Sequence, residues 1–241
     1  MVKRDGERAG EREGGTDNTP PLKLVPPLKL RRHADGVHSQ QPATHFPLAK
    51  LPYLYYFPPM TYCEYIEKLP AGEKRDLHKN YHDNHYGFPL HDDNELFGRL
   101  ILEINQAGLN WEIILKKEPA FRKAFDGYNI KKVAAYGEKE RTRLLNDAGI
   151  IRNRLKVDAV IENAKVILAL QKEYGSFEKW LEHHHPLTLE EWVKLFKKTF
   201  RFTGGEIVNE FLMSIGYLPG THEESCPAYK KIMKLKPMWK K

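Results

Sequence analysis

Glu103 is a carboxylate in an apolar setting. It lies seven residues after Leu96 and three after Leu100, on one stripe of an expected helix. A carboxylate on such a stripe is costly unless it is paired or used. Two readings stand: a boundary position whose carboxylate reaches water, or a buried acid held for chemistry. Trp111, Tyr81 and Tyr86 pose a similar choice. They are core aromatics, or they form a stacking pocket for a planar ligand.

Cys63, His82, His222 and Cys226 are a candidate metal set. His222 and Cys226 are four residues apart, which suits one helical turn or a tight loop, and the other two lie near the opposite end of the domain. Two thiolates and two imidazoles make a closed tetrahedral set, typical of structural zinc. The alternative is two buried thiols and two solvated histidines. The adjacent His183, His184 and His185 point in different directions on a helix, so they read as a solvated helix end. A fourth candidate is the stretch Leu145-Asn-Asp-Ala-Gly-Ile-Ile-Arg-Asn-Arg-Leu-Lys156. A helix, a glycine turn and a second helix opening with basic residues suit phosphate binding. An ordinary helical hairpin with a glycine cap is the other reading.

The elements that must position these residues are helical. Asn94 is expected to cap a helix that carries Leu96, Leu100, Ile101 and Ile104 and ends at Gly108. Asn110 is expected to cap a helix over 111–117 that stops before Pro119. Further helices are expected over 138–146, 153–172, 177–183, 189–198 and 206–214. No strand alternation appears, so the expected class is all-α with short connections.

The chain has 241 residues, with a net charge of +7 and two cysteines. Two cysteines exclude a disulfide-stapled scaffold and suit a reducing cytosol. No run approaches the roughly 18 apolar residues of a membrane span. The excess of positive charge suits a polyanion. The first 59 residues hold 9 of the 16 prolines and a repeated Pro-Pro-Leu-Lys-Leu. That composition is expected to be disordered. It does not read as a targeting signal, and translation from Met60 is one expectation. Residues 60–241 then form a single domain.

The motifs together resemble the bacterial DNA-3-methyladenine glycosylase I family. They are Tyr81-His-Asp-Asn-His-Tyr-Gly87, Leu102-Glu-Ile-Asn-Gln-Ala-Gly-Leu-Asn-Trp111, Asn146-Asp-Ala-Gly-Ile-Ile-Arg-Asn-Arg154, Phe202-Thr-Gly204 and Phe211-Leu-Met-Ser-Ile-Gly216, followed by His222 and Cys226. The similarity runs from about Met60 to Cys226. It implies a helix-hairpin-helix glycosylase fold and a structural Zn2+ on Cys63, His82, His222 and Cys226. It implies a base pocket on Tyr81, Glu103 and Trp111, with Tyr65 and Tyr86 beside it. Double-stranded DNA containing alkylated bases would be held by the hairpin at Gly149, Ile150 and Ile151, with Arg152, Arg154 and Lys156 near the phosphates. The implied activity is hydrolytic release of 3-methyladenine by a cytoplasmic, monomeric repair enzyme with no redox cofactor and no membrane partner.

Several positions depart from the family pattern. Tyr65 and Tyr86 stand where tryptophan is usual, His85 where glutamate is usual, and Ile104 where glycine is usual. Gly205-Glu206 replaces small or hydroxyl residues, and Ile151 replaces a second hairpin glycine. A bulky Ile104 is expected to narrow the pocket or shift its helix. The rival reading is a zinc-stabilised helix-hairpin-helix protein that binds damaged or distorted DNA without cleaving. A zinc hydrolase is less consistent, because four protein ligands leave no position for water.

Overall fold

The computed structural model describes residues 60–241, and the expected disorder of the first 59 lies outside the described residues. All regular structure among the described residues is helical. The order is α1 (Tyr62–Lys68), α2 (Glu73–Asn84), α3 (Asp93–Gln106), α4 (Trp111–Ala124), α5 (Ile130–Ala134), α6 (Glu138–Asn146), α7 (Arg154–Tyr174), α8 (Phe177–His184), α9 (Leu189–Thr199), α10 (Gly205–Ser214) and α11 (Pro227–Lys234). No helix among the described residues is long and apolar enough to cross a membrane.

Helix α3 is the axis of the fold. Leu96, Leu100 and Ile101 are fully buried, and α4, α7, α8 and α10 pack around them. Burial at this density stabilises each large side chain by roughly 1.5–3 kcal/mol. Ile104 is also 1% exposed and belongs to this core. It therefore turns away from the cavity described below and does not narrow it, contrary to the expectation from its bulk. Helices α5, α6 and α8 line the long α7, while α1, α4 and α11 pack on α2.

Two helix boundaries differ from the sequence expectation. The cap of α3 is Asp92, whose carboxylate accepts from the amides of Asn94 and Glu95. Asn94 instead accepts from the amide of Ile130 and fixes the start of α5. Helix α4 runs through Pro119 to Ala124. Proline deprives the Leu115 carbonyl of its usual helical partner. Burial of Phe121 and Ala124, together with the Arg122–Glu118 ion pair, sustains the next turn. The helices α1, α2, α5 and α11 were not expected, being short or mostly polar.

The turn between α3 and α4 positions the pocket. Gly108 has φ +77°, a left-handed conformation that glycine adopts without strain. Asn110 then caps α4 as expected, accepting from the Glu112 amide at 2.8 Å. Trp111 is thereby set at the first residue of α4, facing the last turns of α3.

Candidate base pocket and metal centre

A cavity of about 1060 Å³ opens between α2, α3, the start of α4 and the start of α10. Its walls include Tyr65, Tyr81, Tyr86, Glu103 and Trp111, the five residues that the family resemblance implies for a base pocket and its surroundings. Trp111 is half-buried, and its ring meets Tyr81 edge-on with centroids 5.1 Å apart. Tyr86 lies 5.7 Å from Tyr81. Tyr65 stacks on Tyr62 at the outer edge. The aromatic surfaces of a ligand pocket are therefore present, with Trp111 among them.

Glu103 is 4% exposed, so its carboxylate does not reach water at a boundary. Burial pushes its pKa up to about 8, the Arg99 charge opposes the rise, and the Glu210 charge adds to it. Burial therefore favours the protonated carboxyl, and a cation placed beside it would favour the ionised form.

Arg99, one turn before Glu103 on α3, was not singled out in the sequence. Its Nη1 donates to the Tyr81 hydroxyl at 3.2 Å and faces the carbonyls of His85 and Ser214. Its guanidinium also lies over the Tyr81 ring, 5.2 Å from the centroid. His85 sits with Arg99 on a smaller cavity of about 350 Å³ behind Tyr81. His78 was missed as well: it is buried, its Nδ1 pairs with the Tyr62 hydroxyl at 2.8 Å, and its Nε2 has no partner among the described residues. Glu210 is the third omission. Its signal resembled that of Glu103: an acid beside Phe211 and three residues after Ile207 on an apolar stripe.

Cys63, His82, His222 and Cys226 converge, with one ligand atom from each all within 4.8 Å of one another. The nitrogen–nitrogen distance is 3.1 Å, and the sulfur–nitrogen distances run from 3.3 to 3.9 Å. Tetrahedral zinc with ordinary bond lengths has edges of about 3.3–3.8 Å. The tautomers agree with this geometry. His222 Nε2 lies 2.7 Å from the Tyr86 carbonyl, which can only accept, so Nε2 carries the hydrogen and Nδ1 a lone pair. His82 Nδ1 donates to the Asp83 carboxylate at 2.7 Å, leaving a lone pair on Nε2. Burial works to raise the Asp83 carboxyl, but hydrogen bonds from Lys79 and His82 outweigh it and hold the pKa below its usual value. Two lone pairs 3.1 Å apart repel unless a cation lies between them. The donor set fits a zinc ion, with both imidazoles oriented by outer hydrogen bonds. The His183–His185 run ends α8 as expected, but only His183 is exposed: His184 is half-buried, with Nδ1 paired to the Trp180 carbonyl, and His185 is half-buried against Tyr217.

The hairpin between α6 and α7 separates its predicted residues. A Cβ on Gly149 would lie 3.1 Å from that of Ala120, so glycine lets the turn close on α4. Lys117 on α4 donates to the carbonyls of Ala148 and Gly149 and clamps the turn. The amides of Ile151 and Arg152 donate to nothing among the described residues, and Arg152 and Arg154 are exposed. Ile150 is 3% exposed, belongs to the core and donates its amide to the Asp147 carbonyl, so it offers no free donor to a ligand. Lys156 contradicts its assignment. It is 5% exposed, and its ammonium donates to the carbonyls of Asn105 and Ala107 at 2.8 Å each. It satisfies the free C-terminal carbonyls of α3 and is not available to phosphate.

The chain is similar to known proteins along much of its length. Residues 71–192 match the family model described as methyladenine glycosylase. The chain is 33% identical over 189 residues to DNA-3-methyladenine glycosylase 1 of Escherichia coli (strain K12), covering 70% of this chain and 97% of that protein. A solved 3-methyladenine DNA glycosylase I with a tyrosine-to-phenylalanine substitution, in complex with 3-methyladenine, superposes with a TM-score of 0.58 at 30% identity. That match covers 63% of this chain and 91% of the other. The Staphylococcus aureus enzyme, solved for the structural basis of 3-methyladenine recognition, gives 0.57 at 31% identity over 63% and 90% of the two chains. The chain belongs to the DNA-3-methyladenine glycosylase I family.

Proposed function

We infer that this protein is a DNA-repair glycosylase, a hydrolase that releases 3-methyladenine from alkylated DNA. The observation that carries this reading is the buried Glu103 in a cavity walled by Trp111 and Tyr81. Methylation at N3 leaves the adenine cationic while it is still attached to the sugar. The target nucleotide must leave the helix to be reached, which favours a weakly paired base. Trp111 stacks on the ring, where its quadrupole favours a cation. Glu103 accepts from the purine edge and gives up its proton as the cation enters. Arg99 holds the Tyr81 ring through its hydroxyl, so the pocket keeps its shape when empty.

Water attacks C1′ as the C1′–N9 bond breaks. The bonding pair passes to the ring and cancels its charge, and the proton of water is lost to solvent. A leaving group that carries its own charge needs no general acid of the kind O-glycosidases use.

The hairpin amides of Ile151 and Arg152, with the side chains of Arg152 and Arg154, would bind the DNA backbone without reading sequence. Zinc on Cys63, His82, His222 and Cys226 would supply structural cross-linking of α1 and α2 to the segment before α11, and no chemistry at the base. Pocket and hairpin both lie within one chain, which suits a monomer acting on bacterial cytoplasmic DNA. The test is incubation with methylated duplex DNA and chromatography of the free bases. Release of 3-methyladenine above the enzyme-free rate is expected, and its absence from folded, DNA-binding protein would refute the reading.

A further inference from the structure

Phe202 opens the Phe202-Thr-Gly204 motif, and nothing in the hydrolysis above uses it. Its side chain is 38% exposed. Exposure alone is common for a single apolar residue. The backbone sets this one apart. Its φ is +59°, a left-handed conformation that is costly for a bulky side chain and that glycine adopts without strain.

The conformation is imposed from both sides. Before Phe202, the fully buried Asn163 of α7 grips the Arg201 backbone: it donates to the carbonyl at 3.0 Å and accepts from the amide at 2.7 Å. After Phe202, Thr203 is 5% exposed, and its hydroxyl donates to the Phe196 carbonyl at 3.1 Å. Two buried polar side chains thus clamp the neighbours of a partly exposed aromatic ring. The fold bears a cost in stability to keep phenylalanine at this position.

The place of the ring gives it a use. Gly204 and Gly205, just after it in the chain, line the cavity. The Lys156 ammonium lies 5.8 Å from the ring centroid, and the same ammonium donates to the carbonyl of Ala107, which also lines the cavity. Lys156 is in the first turn of α7, directly after the exposed Arg152 and Arg154, and Arg201 beside Phe202 is exposed as well. The ring is therefore close both to the cavity and to the basic start of α7. DNA held by that hairpin, with one nucleotide in the cavity, has to pass over it. Extrusion of a nucleotide uncovers the faces of neighbouring bases, and an aromatic side chain covers such a face favourably whatever the base. A ring fixed in advance loses little to ordering on binding.

We propose that Phe202 is a DNA-stacking residue, whose ring packs on a base uncovered by extrusion of the damaged nucleotide and so favours the flipped duplex over the intact one. The proposal rests on the glycosylase reading of the cavity.

The test is the affinity of the full chain for two short duplexes of one sequence, one intact and one carrying a tetrahydrofuran abasic analogue at the lesion position. The wild type is expected to bind the analogue duplex more tightly. Phe202→Ala should weaken binding of the analogue duplex by roughly fivefold or more, the loss of one base–aromatic stack, and leave binding of the intact duplex little changed. Phe202→Tyr should bind like the wild type. Phe202→Leu keeps apolar bulk beside Lys156 and should bind as weakly as Phe202→Ala, which also covers the case of an alanine variant that fails to fold. Equal losses on the two duplexes, or full affinity in Phe202→Leu, would overturn the proposal, because the ring would then serve only to cover Lys156. Equal affinity of the wild type for the two duplexes would overturn it as well. Release of 3-methyladenine from methylated DNA by the wild type, with no effect of Phe202→Ala on affinity, removes the contact and leaves the glycosylase reading intact. No release and no preference for the analogue duplex overturn both.

Discussion

The Nε2–H of His222 donates to the carbonyl oxygen of Tyr86 at 2.7 Å, so a member of the candidate four-residue metal cluster holds a wall of the candidate base pocket. The two sites also share a helix: His82 and Tyr81 are adjacent on α2. Loss of the cluster should therefore be felt in the pocket.

The purified protein is expected to carry one zinc ion per chain. Cys226→Ser should lower that stoichiometry and reduce the melting temperature by about 10 °C, corresponding to roughly 3 kcal/mol for a domain of this size. Elemental analysis and thermal melting check this. Unchanged zinc content in Cys226→Ser would reject the ligand set.

Glu103 places function against stability. Its folded pKa is about 8, above the ordinary value of 4.5 that the unfolded chain is expected to show. The folded state therefore holds a proton that the unfolded state releases. The stabilising contribution is present in full below about pH 4.5 and is lost as pH rises to about 8, at up to about 1.4 kcal/mol per pK unit. Glu103→Gln should match the wild type in thermal stability at pH 5 and melt several degrees higher at pH 8.5. Melting curves at the two pH values decide this, and equal shifts at both would mean that the carboxylate is not buried.

The lysine and arginines of the hairpin should separate in their effects. Arg152→Ala should weaken DNA binding more at low salt than at high salt and reduce the slope of log K against log salt by about 0.9. Lys156→Ala should leave that slope unchanged and destabilise the fold by about 1–3 kcal/mol, because two α3 carbonyls lose a buried charged donor. Salt titrations and denaturant melts of both variants are the check. A lower slope for Lys156→Ala would restore it to the interface.

The pH dependence of base release follows from the same carboxylate. In the free enzyme, kcat/KM for a cationic base should rise about tenfold per pH unit up to about 8 and then level off, because only the ionised Glu103 attracts the cation. A profile flat from pH 6 to 9 would show that Glu103 does not set affinity for the charged base.

Much of this site was legible in the sequence because its residues sit in continuous motifs. Glu103 was readable as a carboxylate on an apolar stripe, and α3 and α7 by their helical spacing. What remained hidden depends on distant packing. Arg99 looks like a surface charge until Tyr81, eighteen positions earlier, meets its guanidinium. Lys156 looks like a phosphate contact until α7 carries it under the end of α3. Pro119 marks a local helix stop that core burial at Phe121 overrides. Helix α2 was missed because its buried face is built from His78, Tyr81 and His82, not from aliphatic residues.

The central claim is that Glu103 makes the pocket a catalytic one. The most direct measurement is single-turnover release of 3-methyladenine by Glu103→Gln and wild type at pH 8, with duplex affinity measured beside it. The prediction is a loss in rate of roughly hundredfold or more with DNA affinity retained. Wild-type release by the variant would contradict the account.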